Sequence, residues 1–156
     1  MIRHKNNSGF TLTELLVYMG IFSIILVIIT QMFVSILQSQ LDTQSTSSVE
    51  QDSRFLIQRF IYDVQRASAI TNPSSGQSSS LTLTINGQPY TYQVVNNNLL
   101  INSTIKLNSH DTNIQNLIFS RSGNTVSIGG TVISQIIKSS GSEVRNIITT
   151  TNLRPN

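Results

Sequence analysis

Cysteine is absent from the 156 residues, so no disulfide, thiol nucleophile or thiolate metal site is available to this chain. Export to an oxidising space is compatible with that absence but is not established by it. Charge is also scarce, at 11% of residues. Beyond the first half the only acids are Asp111 and Glu143, too few for a calcium site of many oxygens. One histidine, His110, lies outside the first nine residues, in a polar stretch beside Asp111, and reads as a loop residue. With no second histidine or carboxylate cluster beside it, a metal centre is not expected. Neither a nucleophile motif nor a phosphate-binding glycine loop occurs, so no enzymatic activity, cofactor or nucleotide site is expected. Aromatic side chains in the last half are few (Tyr90, Tyr92, Phe119), leaving little for stacking on bases. Lys106, Arg121, Lys138, Arg145 and Arg154 could cluster, but nothing in their spacing forces it, so a nucleic-acid partner has no support.

What the chain does have is a steep gradient of polarity. Apolar residues crowd into the first quarter, nearly unbroken over Leu15–Ile29, whereas the remainder is rich in Ser, Thr, Asn and Gln. Arg3 and Lys5 precede the apolar run, which holds the N-terminus on the cytoplasmic side by the positive-inside rule. An ordinary secretory signal would begin in the same way. Small residues at A-x-A spacing are missing after the run, however, and Glu14 sits at its entrance. A carboxylate within a membrane costs about 2.5–3.5 kcal/mol when central and usually has a partner and a role.

The segment Gly9-Phe10-Thr11-Leu12-Thr13-Glu14-Leu15-Leu16 resembles the type III signal of type IV prepilins and type II secretion pseudopilins. The resemblance implies cleavage after Gly9 by a membrane prepilin peptidase and N-methylation of the new terminus, Phe10. It also implies that Glu14 is the assembly carboxylate, set against the Phe10 amine of a neighbouring subunit. Thr13 stands where an aliphatic residue is usual. Charge logic agrees with that pairing: a new α-amine is largely protonated at neutral pH, and amine and carboxylate offset each other in hydrocarbon. Further partners implied are other pilin or pseudopilin subunits, membrane lipid before assembly, and an assembly platform driven by an external ATPase. Removing the leader leaves eight Lys and Arg against seven Asp and Glu, a near balance.

From Phe10 to Ile70 the only glycine is Gly20, and proline is absent. If wholly helical, this stretch would reach roughly 90 Å. Residues 10–37 are long and apolar enough to span a bilayer, and residues 38–71 read as an amphipathic stem. Val49, Leu56, Phe60, Val64 and Ala67 mark its buried stripe, with Asp52, Arg59, Asp63 and Arg66 mostly off it. Gln38–Ser48, rich in Gln, Ser and Thr, is expected to fray or bend. Asp63 and Arg66 suit an i, i+3 surface bridge. Gly20 suits either close helix approach or simple tolerance of a small residue. Arg54–Ala69 is similar to the stem of larger minor pilins of the W-type and of J-type pseudopilins.

Residues 72–80 read as a turn-rich linker, after which the period changes to two. Leu81–Ile85 alternates, Asn86-Gly87 predicts a type I′ hairpin, and Tyr90–Val95 answers as the partner strand. Further strands are expected at Leu99–Ile101, Thr104–Leu107, Ile114–Ser120, Thr125–Ile128, Thr131–Lys138 and Val144–Thr151. Residues 81–156 thus form a β-rich head, and the expected class is α+β, an antiparallel sheet laid on the second half of one long helix. The function implied is structural: a minor pilin or pseudopilin processed after Gly9. A filament-tip adhesion or DNA-uptake subunit is the alternative, and a membrane-anchored enzyme stands further off.

Overall fold

A computed structural model describes residues 11–154. One helix, α1, spans Leu12–Arg66, and the chain divides after Ser39 into two compact units. In the first unit all residues from Thr11 to Ser39 are exposed. The helix persists through Gln38–Ser48, contrary to the fraying expected there. Hydroxyl side chains in this stretch do not compete the helix away, because they bond inside it. Ser48 Oγ donates to Gln44 O at 2.8 Å and Gln51 Nε2 to Ser47 Oγ at 3.1 Å. Ser45 is buried and donates to Ile136 O, which adds a tertiary hold.

The second unit contains the rest of α1 and nine strands. These are β1 (Ala69–Asn72), β2 (Gly76–Ser78), β3 (Ser80–Ile85), β4 (Gln88–Val95), β5 (Asn98–Ile101), β6 (Ile105–Lys106), β7 (Thr112–Ser122), β8 (Thr125–Lys138) and β9 (Gly141–Asn152). They form two antiparallel sheets, ordered β1-β3-β4-β5-β6 and β2-β7-β8-β9, rather than the single sheet expected. The class is α+β, the pilin-like arrangement of one long N-terminal helix and antiparallel sheets.

Alternation explains the core. Leu81, Leu83 and Ile85 of β3 are buried while Thr82 and Thr84 face outward. The helix contributes Val49, Leu56, Phe60 and Val64, on steps of seven and four that keep one face. Phe119 of β7 joins the layers, its ring centroid 6.3 Å from Phe60 and 6.4 Å from Tyr92. Burying such side chains is worth about 1.5–3 kcal/mol each. At the β3–β4 turn Asn86 and Gly87 have φ of 50° and 76°, both positive as a type I′ turn requires.

Three expected assignments change. The helix stops at Arg66, not near residue 71, because Ser68 N is captured by Thr84 O at 2.8 Å and the chain continues as β1. Pro73 favours extended backbone at the residue before it, as β1 supplies. The stretch 72–80 is no linker: Gly76, Gln77 and Ser78 pair with Arg121, Ser120 and Phe119. Arg121 donates to Ile70 O at 2.6 Å, just before this stretch, and to Pro73 O at 3.4 Å within it. The two strands expected at 125–128 and 131–138 are one, β8, running through Gly129-Gly130. Gly130 lies against a bulge in β7, where a Cβ would fall 2.6 Å from Leu117 Cδ1.

Candidate assembly site at the start of the helix

Thr11 precedes the first helical residue and caps it. Glu14 N donates to Thr11 Oγ1 at 3.3 Å, satisfying one of the amides a helix start leaves open. Thr-x-x-Glu at the cap and third helical position is the capping-box pattern, and an acid in the first turn suits the positive end of the helix dipole. The same spacing therefore gives Glu14 a local role in addition to any intermolecular one. Reading the sequence for assembly alone misses this, although the Thr11-x-x-Glu14 pattern signals it. Gly9, Phe10, Arg3 and Lys5, the other residues of the expected processing site, lie outside the described residues.

Downstream of Glu14 the helix carries an apolar surface that the chain itself leaves open. Its large hydrophobics range from 43% exposed at Leu37 to 63% at Ile24. This is the one described helix long and apolar enough to cross a membrane. A Cβ at Gly20 would touch nothing, so this glycine serves no packing within the described chain. The shallow surface along Leu15–Ile25 is the flank of a single helix rather than a ligand cavity.

In the second unit, most charges are spent on the fold. Asp63 was expected at the surface with Arg66, but it is 1% exposed. It accepts from Arg59 Nε at 2.7 Å and from the Tyr92 hydroxyl. The four-residue spacing to Arg59 and the facing tyrosine of β4 take the carboxylate inward, and Arg66 instead turns to Tyr62. Burial pushes the Tyr92 phenol up, and its bond to the Asp63 carboxylate adds to that shift. Asp52 accepts from Ser109 N at 2.8 Å and from Thr112 Oγ1, tying the β6–β7 loop to α1. A hydrogen bond from Arg54 holds the Glu50 carboxyl below its ordinary range.

Of the five cations considered for nucleic acid, three have other partners. Arg121 donates to backbone carbonyls, Lys138 pairs with Glu143, and Arg145 lies 3.6 Å from Glu50. His110 is exposed in a turn. Among the described residues no group of three His, Cys, Asp or Glu is placed to hold a metal ion.

Comparison with known proteins places this geometry in context. The family model of the prokaryotic N-terminal methylation motif matches residues 4–30. The match covers the capped helix start, Glu14 and most of the open apolar surface, so the chain carries a prepilin-type signal continuous with a membrane-anchoring helix. No curated protein and no solved structure matches the chain.

Proposed function

We propose that this protein is a structural subunit, a minor pilin or pseudopilin, of a type IV pilus-like or type II secretion-like filament. Prepilin peptidase removes Met1–Gly9, and Phe10 becomes the methylated N-terminus. The subunit waits in the cytoplasmic membrane with its head on the far side. It is then drawn by an assembly platform and an external ATPase into a helical polymer. In that polymer Glu14 pairs with the Phe10 amine of a neighbour, fixing the axial offset between subunits.

The observation that carries this reading is the open apolar surface of α1 directly behind a methylation motif. Nineteen large hydrophobics between Leu12 and Leu37 are 43–76% exposed among the described residues. Leaving them in water would forfeit on the order of tens of kcal/mol, so lipid first and other stems later must supply the cover. A plain signal anchor would explain the lipid phase but not Gly9-Phe10 and Glu14 at this spacing.

Intact mass and N-terminal sequencing of the chain recovered from membranes with its peptidase test the proposal. A chain starting at Phe10 and carrying one added methyl group is expected. A chain retaining Met1–Gly9 beside an active peptidase refutes the reading.

A further inference from the structure

A groove and an open helix flank in the second unit hold opposite charges that have no ion-pair partner among the described residues. At the end of α1, a groove of about 520 Å³ is lined by Tyr62, Gln65, Arg66, Asn152, Leu153 and Arg154. The Arg66 guanidinium lies 4.9 Å from the Tyr62 ring centre, and its Nη1 donates to the Tyr62 hydroxyl oxygen at 2.8 Å. It is thereby held in place without an acid to neutralise it. Among the described residues Arg54, Arg59, Lys138 and Arg145 each have a carboxylate, whereas Arg66, Lys106, Arg121 and Arg154 have none, and Arg121 is held by backbone carbonyls instead. Arg66 and Arg154 both line this one groove.

Nearer the N-terminus of the same helix, its open flank carries Asp42 and Glu50 with Thr43, Thr46 and Ser47 between them. Glu50 is engaged by Arg54. Asp42 is the one carboxylate of this unit that has no hydrogen-bond or ion-pair partner among the described residues. Asp52, Asp63, Asp111 and Glu143 all have one. Asp42 and Arg66 stand twenty-four residues apart on one helix, roughly 36 Å, so they cannot meet within a chain.

We propose that they meet between copies: Asp42 of one subunit enters the Arg66–Arg154 groove of another displaced along the stem axis. The contact rests on the filament reading above and supplies it with a head-level partner, a second copy of this chain. Acidic and basic patches on the same helix, offset along its axis, complement each other when copies run in the same direction. Such a contact is heterologous, and repeated it yields an open polymer rather than a closed dimer. Complementary charge also favours this register over others, which a purely apolar stem contact does less well. Two arginines and one ring offer a single carboxylate a matched site but offer a nucleic-acid backbone few phosphate contacts.

The test uses the full chain expressed in a strain that carries its peptidase, assembly platform and ATPase, with filaments collected by shearing. Because the sequence has no cysteine, a chain carrying Thr46→Cys and Asn152→Cys is labelled only beside the two patches and keeps Asp42, Arg66 and Arg154 in place. A short bismaleimide should then give a ladder of dimers and higher species in the filament fraction. Independently, Asp42→Arg should lower filament yield about tenfold, and adding Arg66→Asp and Arg154→Asp should restore most of it. Filaments of processed chain that give no ladder, and whose yield ignores the charge reversals, overturn the contact and leave the filament reading standing. Binding of an oligonucleotide that depends on both arginines, without a ladder, overturns it in favour of nucleic acid. Failure of the processed wild-type chain to form any filament overturns the underlying reading and this contact with it.

Discussion

Tyr92 of β4 donates its hydroxyl to the Asp63 carboxylate of α1, so a polar bond fastens sheet to helix inside an apolar layer. Arg59 donates to the same carboxylate oxygen from one helical turn away. A buried carboxylate is tolerated only with such partners, and removing one leaves a desolvated group behind. Tyr92→Phe is expected to destabilise the chain by about 1–3 kcal/mol, and Asp63→Ala by about 3–5 kcal/mol. Thermal unfolding of the detergent-solubilised chain, followed by circular dichroism, measures both. Equal and negligible shifts would show that the trio contributes nothing net.

The same bond gives a pH dependence whose sign is fixed. Burial raises the Tyr92 phenol above the ordinary 10.0, so the folded chain holds this proton more tightly than the unfolded one. Its contribution to stability is fully present below pH 10 and is lost as pH rises beyond that. Wild-type stability should therefore fall more steeply above pH 10 than that of Tyr92→Phe. Parallel curves for the two chains would remove Tyr92 as the titrating group.

Gly130 and Gly129 are adjacent in β8 yet make opposite predictions. A Cβ at Gly130 would meet Leu117 Cδ1 at 2.6 Å, Leu117 Cα at 3.2 Å and Gln115 O at 3.4 Å, two of them backbone or its direct neighbour. At Gly129 it would meet nothing within 4 Å. Gly130→Ala should cost about 1–3 kcal/mol, and Gly129→Ala should be neutral or stabilising by up to about 1 kcal/mol. Melting temperatures of the two variants decide it, and equal values would mean the β7 bulge yields freely.

Both glycines also show where sequence stops being informative. Alternation at Leu81–Ile85 and the Asn86-Gly87 turn are local properties, so the first hairpin is legible from neighbours alone. The apolar run and Glu14 are legible for the same reason. Gly129-Gly130 looks like a turn locally, and only the bulge opposite, at Gln115–Ile118, explains why the strand continues through it. Residues 72–80 look like a linker because their pairing partner, Arg121–Phe119, lies more than forty positions away. Asp63 is misplaced on the surface because its hydroxyl partner, Tyr92, arrives from another element. The assignment of strands to two sheets likewise depends on long-range pairing that periodicity does not encode.

Asp52 offers a test of how the β6–β7 loop is held. Its Oδ2 accepts from Ser109 N at 2.8 Å and from Thr112 Oγ1, while Asn108, buried in the same loop, donates to Thr112 O at 2.7 Å. Asp52→Ala should cost about 1.5–3 kcal/mol and free the Ser109 amide, leaving the sheet order intact. Hydrogen exchange at Ser109 is expected to speed up while Leu99 N, bonded to Asn108, stays protected. Loss of protection at both amides would mean that the loop and β5 open as one unit.

Glu14 has two roles that a pair of substitutions can separate. Its backbone amide is capped by Thr11, and its side chain carries the first-turn charge. Thr11→Val removes the cap at a cost of about 0.5–2 kcal/mol to the helix start but leaves the carboxylate. Glu14→Gln keeps a side chain able to serve a capping box and removes only the charge. If assembly depends on attraction between this carboxylate and a neighbour's amine, Glu14→Gln should abolish filaments while membrane insertion and cleavage after Gly9 continue. Thr11→Val should then reduce filament yield only modestly. If instead the helix start is what matters, Thr11→Val should be the more damaging of the two, and Glu14→Gln should still polymerise. Filament yield against the processed fraction, measured for both variants in one strain, distinguishes the two outcomes.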